Sequence, residues 1–417
     1  MSKVVWVLCV CALTAAACLA ADWPQYGGPD RTNISAEKGL PRTFPAGGPK
    51  VIWKIEVGAG YGGAAIQDSK VYILDRNAGR TDVLRCLDLA TGKDEWSYSY
   101  PAPGKVSHDG SRSVPTVDDK YVFTVGCFGQ VCCVSKQTHK PVWSKNIMKD
   151  FGAGGKLPMW GYSQSPLLYH DVVIIAPQTA EVGLVALEKA TGKERWRSGP
   201  AGGAHYVSPV VANIGGVDQA IIVNANGATA VDAATGKKVW NFSGWTCKIS
   251  IPNVTSIGDG RVLITGGYKA GTVMIKVSQA DGKWQAKELW RNDKISSQIN
   301  PALLYKDHLY FNANSNESLV EGLMCVDLDG KILWQTGEKP SFERGHTLLV
   351  DGMLHIIEGK LGSLHLVELS PDGYKEVGRV NGLLGGKEIW GPLSLCGTKL
   401  IIRDQSKMLC LDLASGK

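Results

Sequence analysis

Cys86-Leu87-Asp88-Leu89-Ala90-Thr91-Gly92-Lys93-Asp94-Glu95-Trp96 is the stretch whose meaning fixes the fold. It runs apolar residues into an acid, makes a Thr-Gly step and returns to a tryptophan. Ala186-Leu187-Glu188-Lys189-Ala190-Thr191-Gly192-Lys193-Glu194-Arg195-Trp196 repeats it, and so does Ala230-Val231-Asp232-Ala233-Ala234-Thr235-Gly236-Lys237-Lys238-Val239-Trp240. A shortened copy is Cys325-Val326-Asp327-Leu328-Asp329-Gly330-Lys331-Ile332-Leu333-Trp334. Weaker copies end at Trp143, at Trp290 and near Val377, and an eighth, Cys410 to Lys417, stops before its tryptophan. Physically the phrase is strand, turn, strand. Asp or Glu opens the turn by accepting from nearby backbone N–H groups. Thr-Gly or Asp-Gly supplies the positive φ of a tight turn. The closing Trp fills space between neighbouring sheets.

The steps from Trp53 through Trp96, Trp143, Trp196, Trp240, Trp290 and Trp334 are 43, 47, 53, 44, 50 and 44 residues, and the next, to Val377, is 43. A period of about 40–50 residues with four short strands per unit marks propeller blades. The spacing predicts an all-β, eight-bladed β-propeller over 51–417. Lys50-Val51-Ile52-Trp53-Lys54-Ile55 reads as a strand with no turn phrase before it, so Trp53 is expected to complete the last blade and close the ring. Residues 21–50 are left as an arm, expected on the outside of the ring because Pro24, Gly27, Gly28 and Pro29 argue against regular structure.

Composition agrees. Of 417 residues 50 are Gly, 13 Trp and 11 Cys, while charged residues make up 20%. This excludes a disordered chain, and glycine without a three-residue period excludes collagen. Lys3 followed by the apolar run Val4 to Ala17 and the small-x-small site Cys18-Leu19-Ala20 predicts a secretory signal peptide over 1–20. Acylation of Cys18 is the lesser alternative, since Ala15 stands where a lipoprotein box has Leu. The mature chain is expected to be periplasmic or extracellular and a monomeric ring, with eight cysteines, no transmembrane segment and no basic block for nucleic acid.

The phrase resembles the pyrroloquinoline quinone (PQQ) type propeller repeat, whose Asp-x-x-Thr-Gly-Lys-x-x-Trp run Asp88–Trp96 and Asp232–Trp240 match in full. The start Trp23-Pro24-Gln25-Tyr26-Gly27-Gly28-Pro29 looks like the leading arm of exported bacterial propellers with this repeat. The resemblance implies one of two functions. One is that of non-catalytic, BamB-like propellers that bind partner proteins; the other is that of quinoprotein alcohol dehydrogenases, with PQQ and Ca²⁺ on the axis. Fold alone does not choose. The dehydrogenases can also carry a disulfide between adjacent cysteines, as at Cys132-Cys133. Against it, Cys86, Cys133, Cys325 and Cys410 share one repeat position that Ala186 and Ala230 fill elsewhere, which reads as a small core site.

Other motifs dissolve on inspection. Gly58-Ala59-Gly60-Tyr61-Gly62-Gly63 spells a dinucleotide loop but leads into a strand pattern. Gly152 to Leu157 lacks the Ser/Thr of a phosphate loop, and no histidine or cysteine spacing fits zinc or haem. The remaining candidates precede the innermost strands, where side chains reach the axis. They are His108 and Arg112; Trp160, Tyr162 and Gln164; His205 and Tyr206; Lys248; Gln298 and Asn300; Arg344; and Trp390. Aromatic, amide and basic groups there suit a planar anion, and solvated rim residues are the bland alternative. Acids near these segments, Asp109, Glu343 and Glu388, form no recognisable metal set. The reading is therefore an exported binding or scaffold module for a protein, polymer or cell-envelope component. The alternative is a PQQ-dependent alcohol or polyol dehydrogenase.

Overall fold

The computed structural model describes residues 21–414 apart from 78, 153–156, 204 and 315–319. The expected signal peptide, most of the Gly152–Leu157 loop and the last three residues of the eighth phrase lie outside the described residues. Eight four-stranded antiparallel sheets form a ring, an eight-bladed β-propeller. Blades 1 to 7 span residues 65–101, 116–146, 167–197, 210–242, 255–292, 303–335 and 347–380. Blade 8 combines Ser394–Cys396, Lys399–Arg403 and Lys407–Asp412 with the early strand Lys50–Glu56, where Trp53 faces Cys410. The two ends of the propeller are thus zipped in one sheet, which leaves no open seam.

In blades 1 to 6 and 8 the outer strand carries a register shift beside its Trp, and in blade 7 the shift falls beside Gly378, so the outer strand bulges at the anchor position. A bulge bends the strand and re-aims a side chain. The small residue opposite, such as Cys86 against Trp96 or Ala186 against Trp196, leaves room for the indole. The ring then reaches the next blade. Trp53 Nε1 donates to Leu89 O at 2.8 Å, Trp143 to Lys189 O at 2.8 Å, Trp196 to Ala233 O at 3.2 Å, Trp290 to Leu328 O at 2.8 Å and Trp334 to Ser370 O at 2.9 Å. At the Trp53, Trp143, Trp196 and Trp290 junctions the turn glycine of the next blade, Gly92, Gly192, Gly236 or Gly330, lies against the indole face, whereas at Trp334 Gly373 stands clear and Tyr374 packs edge-on instead. A Cβ on Gly192 would stand 2.6 Å from the Trp143 ring, at φ +68°. Thr-Gly is therefore required twice, by the turn and by the indole. Trp240 departs from the rule and donates to Gln219 Oε1 of its own blade at 2.6 Å. Blade 5 offers it no Thr-Gly turn, only the long hairpin Thr272–Ala280/Lys283–Asn292.

The eight described cysteines are free and buried, so Cys132 and Cys133 form no disulfide. Both stay in the ladder of Gln130–Ser135, and Cys133 packs with Trp143 while Cys132 packs with Tyr100. Burial pushes the Cys132 thiol up to about 12, which keeps it protonated.

The arm corrects the expectation drawn from its Pro/Gly content. Residues 23–35 enter the central channel. Trp23 pairs with Ile66 of blade 1 in both directions at 2.8 Å, Pro24 O accepts from Val117 N of blade 2 at 2.8 Å, and Ile34–Ser35 adds a parallel strand to the inner edge of blade 7. Arg31 donates through Nη2 to Ser165 O at 2.9 Å on the connection entering blade 3. Irregular chain enters a buried channel here because inner-strand edges hold backbone groups that need partners, and the arm supplies them. Trp23, 2% exposed, fills the space between. The chain reverses at Gly27 and Gly28, φ +72° and +82°, where a Cβ on Gly28 would meet the Trp23 ring at 2.9 Å. Further along, Arg42 pairs with Glu368, and Phe44 lies against Gly378 in the outer strand of blade 7.

Candidate functional site

The connections between blades meet around one end of the channel and enclose a cavity of about 160 Å³. Its lining draws on all of them, from Tyr61 before blade 1 to Trp390 before blade 8. Tyr26, at the reversal of the arm, contributes from the channel side. The arm therefore helps to make this cavity.

Five rings form a band along consecutive connections. Trp390 and Tyr61 have centroids 5.6 Å apart, Tyr61 and His108 6.1 Å, His108 and Trp160 5.7 Å, and Trp160 and Tyr206 5.0 Å. Farther round the mouth are Ile251, Tyr268, Gln298 and Arg344. Gln298 is held at both ends of its amide: Nε2 donates to Tyr268 Oη at 3.1 Å and Oε1 accepts from Arg344 Nε at 2.8 Å.

The charges are mostly matched. Arg344 Nη1 is paired with Glu343, and Trp390 Nε1 donates to Glu343 Oε2 at 2.8 Å. Tyr61 donates its hydroxyl to Glu388, whose other oxygen lies 3.5 Å from His108 Nε2. Burial and that carboxylate hold the Tyr61 hydroxyl well above its usual range. Arg112 is the exception. Its guanidinium lies 5.2 Å from the Tyr61 ring centroid, yet its Nε and Nη2 are buried without a partner, and it makes no ion pair among the described residues. Burial lowers its pKa from the usual guanidinium value. Arg112 is thus the arginine of the lining without an acidic partner among the described residues.

Seven of the sequence-derived candidates line the cavity: His108, Arg112, Trp160, Tyr206, Gln298, Arg344 and Trp390. Five lie elsewhere. Tyr162 is 3% exposed and packs in a blade core with Phe123 and Trp143. Gln164 bridges the backbone of Ala176 through both ends of its amide. Asn300 donates to Gly345 O at 2.9 Å, and His205 Nδ1 accepts from Ser250 N at 2.8 Å. Lys248 is exposed and outside the lining. The sequence reading missed Tyr61, Tyr268, His346 and Tyr26. Tyr61 had a readable signal, because it precedes the first strand of blade 1 as the others precede theirs.

The lining fits half of a PQQ–calcium set. Rings and a guanidinium suit an aromatic acid, but PQQ carries three carboxylates and one cation here is unmatched. Among the described residues no group of three His, Cys, Asp or Glu could hold a metal ion, so calcium has no acidic ligand set. Glu343 and Glu388, the acids of the mouth, are already engaged by Arg344, Trp390, Tyr61 and His108.

Comparison with known proteins gives both branches of the repeat. A family model described as outer membrane protein assembly factor BamB matches residues 79–336. The dehydrogenase subunits of quinone alcohol dehydrogenase from Komagataeibacter europaeus and Gluconacetobacter polyoxogenes are each 30% identical over 125 residues, which is 28% of this chain and 17% of theirs. The matched stretch thus spans under a fifth of those relatives. Among solved structures, quinohemoprotein alcohol dehydrogenase from Comamonas testosteroni superposes with a TM-score of 0.66 at 12% identity, covering 95% of this chain and 81% of that one. BamB from Moraxella catarrhalis gives 0.62 at 13%, covering 87% and 97%. At such identities the likeness is one of fold. No described helix is long and apolar enough to cross a membrane.

Proposed function

Taking as premise that this chain belongs to the outer membrane protein assembly factor BamB family of PQQ-repeat propellers, we propose that it is an exported, non-catalytic binding module of the cell envelope. It recognises its partner, a protein, polymer or envelope component, at the axial mouth. The observation that carries this reading is the state of the mouth's acids. A dehydrogenase needs a carboxylate free to take the alcohol proton and others to hold calcium. Glu343 and Glu388 are instead tied to Arg344, Trp390, Tyr61 and His108. What is left over is recognition chemistry, a ring band and one unmatched guanidinium. Export is supported by Lys3, the apolar run to Ala17 and the Cys18-Leu19-Ala20 site.

The second reading, a quinoprotein alcohol dehydrogenase, is favoured by the 125-residue match to the two quinone dehydrogenase subunits. One experiment separates them. The purified protein is titrated with PQQ and Ca²⁺ by absorbance, then assayed for dye reduction with primary alcohols and polyols. The binding reading expects no saturable spectral change and no turnover. Robust turnover overturns it.

A further inference from the structure

The mouth is asymmetric in a way that selects a ligand class. Trp390, Tyr61, His108, Trp160 and Tyr206 sit on five consecutive blade connections, and each ring already touches the next at 5.0–6.1 Å. Neighbouring rings in contact leave no slot in which a flat aromatic molecule is sandwiched. They make a wall instead, with the Trp390–Tyr61 and Trp160–Tyr206 pairs tilted by 32° and 33° and the His108 ring set edge-on between them. Beyond its Trp390 end stand hydrogen-bonding groups, the Arg344 guanidinium 5.2 Å from the Trp390 ring centroid and, bonded on from it, the Gln298 amide and the Tyr268 hydroxyl. A molecule that fits has an apolar face, polar edges and a single negative charge. The charge count is set by Arg112, the unmatched cation of the lining, since Arg344 is balanced by Glu343.

A pyranose ring has that anatomy. Its axial C–H bonds make an apolar face that packs on aromatic rings, and its equatorial hydroxyls point outward as donors and acceptors. A carboxylate in place of the terminal CH₂OH supplies the one charge. We propose that the axial mouth binds an acidic saccharide, a hexuronic acid unit of a polymer. Its C–H face lies against the Trp160–Tyr206 part of the band, and its carboxylate sits on Arg112. The inference rests on the binding-module reading and names that module's ligand.

The test uses calorimetric titration of the full mature chain with three probes: a short oligogalacturonate, the same oligomer methyl-esterified, and a peptide with a free C-terminal carboxylate. The ester keeps the sugar face and removes the charge. The acid is expected to bind, with the ester weaker by roughly tenfold or more, the usual worth of a hydrogen bond to a charged group. Arg112→Gln is expected to erase the difference between acid and ester. Trp160→Ala, at a half-buried ring, is expected to weaken both probes. Folding of each variant is checked by its thermal transition. Absence of oligogalacturonate binding to the folded protein, equal binding of acid and ester, or preferred binding of the peptide overturns the inference. None of these three results touches the binding-module reading, which falls separately if PQQ and Ca²⁺ give turnover.

Discussion

This propeller uses tryptophan in two regions, between blades and at the axial mouth, and the difference separates structure from recognition. Between blades the indole is seated on the next blade, buried at Trp53, Trp143, Trp196 and Trp240 and half-buried at Trp96, Trp290 and Trp334. At five junctions its N–H meets a carbonyl of the next blade, as Trp143 meets Lys189 O at 2.8 Å, and at four its face is covered by a turn glycine. At the mouth Trp160 and Trp390 line a cavity, their half-buried rings packed against other rings and Arg344, with the Trp390 N–H on Glu343 Oε2. The first kind is repeated along the chain; the second occurs once at each place. A repeated indole seated on the next blade builds the ring. A singular, open one leaves a surface for something else.

The largest test of this contrast pairs one tryptophan from each region. Trp196→Ala empties a buried site and breaks its bond to Ala233 O, so it should cost roughly 3–5 kcal/mol in denaturant unfolding. Trp160→Ala removes a ring from the cavity wall and should cost about 1 kcal/mol or less. If Trp160→Ala is as destabilising as Trp196→Ala, the mouth rings are part of the scaffold and the contrast fails.

The two regions were also unequally legible. The inter-blade region could be read because one phrase recurs: Asp88 to Trp96 states a turn, a bulge and an anchor, and each copy corrects the others. The mouth has no second copy. Its connections are extended chain in which neighbouring residues face opposite ways, so Ser163 and Ser165 reach the cavity while Tyr162 and Gln164 turn into the blades. Sequence gives no parity for such segments. The arm was harder still. Nothing local in Trp23-Pro24-Gln25-Tyr26 tells that its partners are the inner edges of blades 1, 2 and 7, because those edges exist only once the ring has closed.

A second test probes the axial region through pH. His346 lines the cavity, is 1% exposed, lies edge-on to Tyr26 of the arm, and has an Nδ1 without a partner. Burial pushes its pKa down to about 4 from 6.5. The unfolded chain therefore binds a proton between these values that the folded chain refuses. Stability from this group is full above pH 6.5 and is lost as pH falls toward 4, by on the order of 3 kcal/mol. His355 of the same blade, also near 4, adds to the same window. His346→Gln should flatten the acid limb of the stability curve by its own share and leave that of His355. An unchanged limb would show that the axis opens to water without cost.

Smaller effects sharpen the account of the inter-blade region. Gly192→Ala places a Cβ 2.6 Å from the Trp143 ring in a left-handed conformation, φ +68°. The conformation costs about 1 kcal/mol and the overlap at least as much again, so a loss of roughly 2 kcal/mol is expected by chemical denaturation. A neutral Gly192→Ala would mean that the indole shifts freely and that the Thr-Gly step serves the turn alone.

The smallest test falls where the repeat breaks its own rule. Blade 2 has His139 at the phrase position that Gly92 and Gly192 hold elsewhere, and His139 keeps the glycine conformation with φ +58°. Trp96 of blade 1, whose partner this turn is, stacks on the imidazole with centroids 4.7 Å apart and planes 9° from parallel. Here a side chain does for the indole face what a turn glycine does at the Trp53, Trp143, Trp196 and Trp290 junctions. His139→Gly relieves about 1 kcal/mol of backbone strain and gives up a ring pair worth about the same. The net change should therefore lie within about 1 kcal/mol of zero, where Gly192→Ala loses roughly 2. Equal and large losses in both would mean that each junction is fitted to its own residue. A near-neutral His139→Gly beside a costly Gly192→Ala would mean that the junction needs only a covered indole face in a left-handed turn, with glycine and a stacked imidazole as two solutions to one requirement.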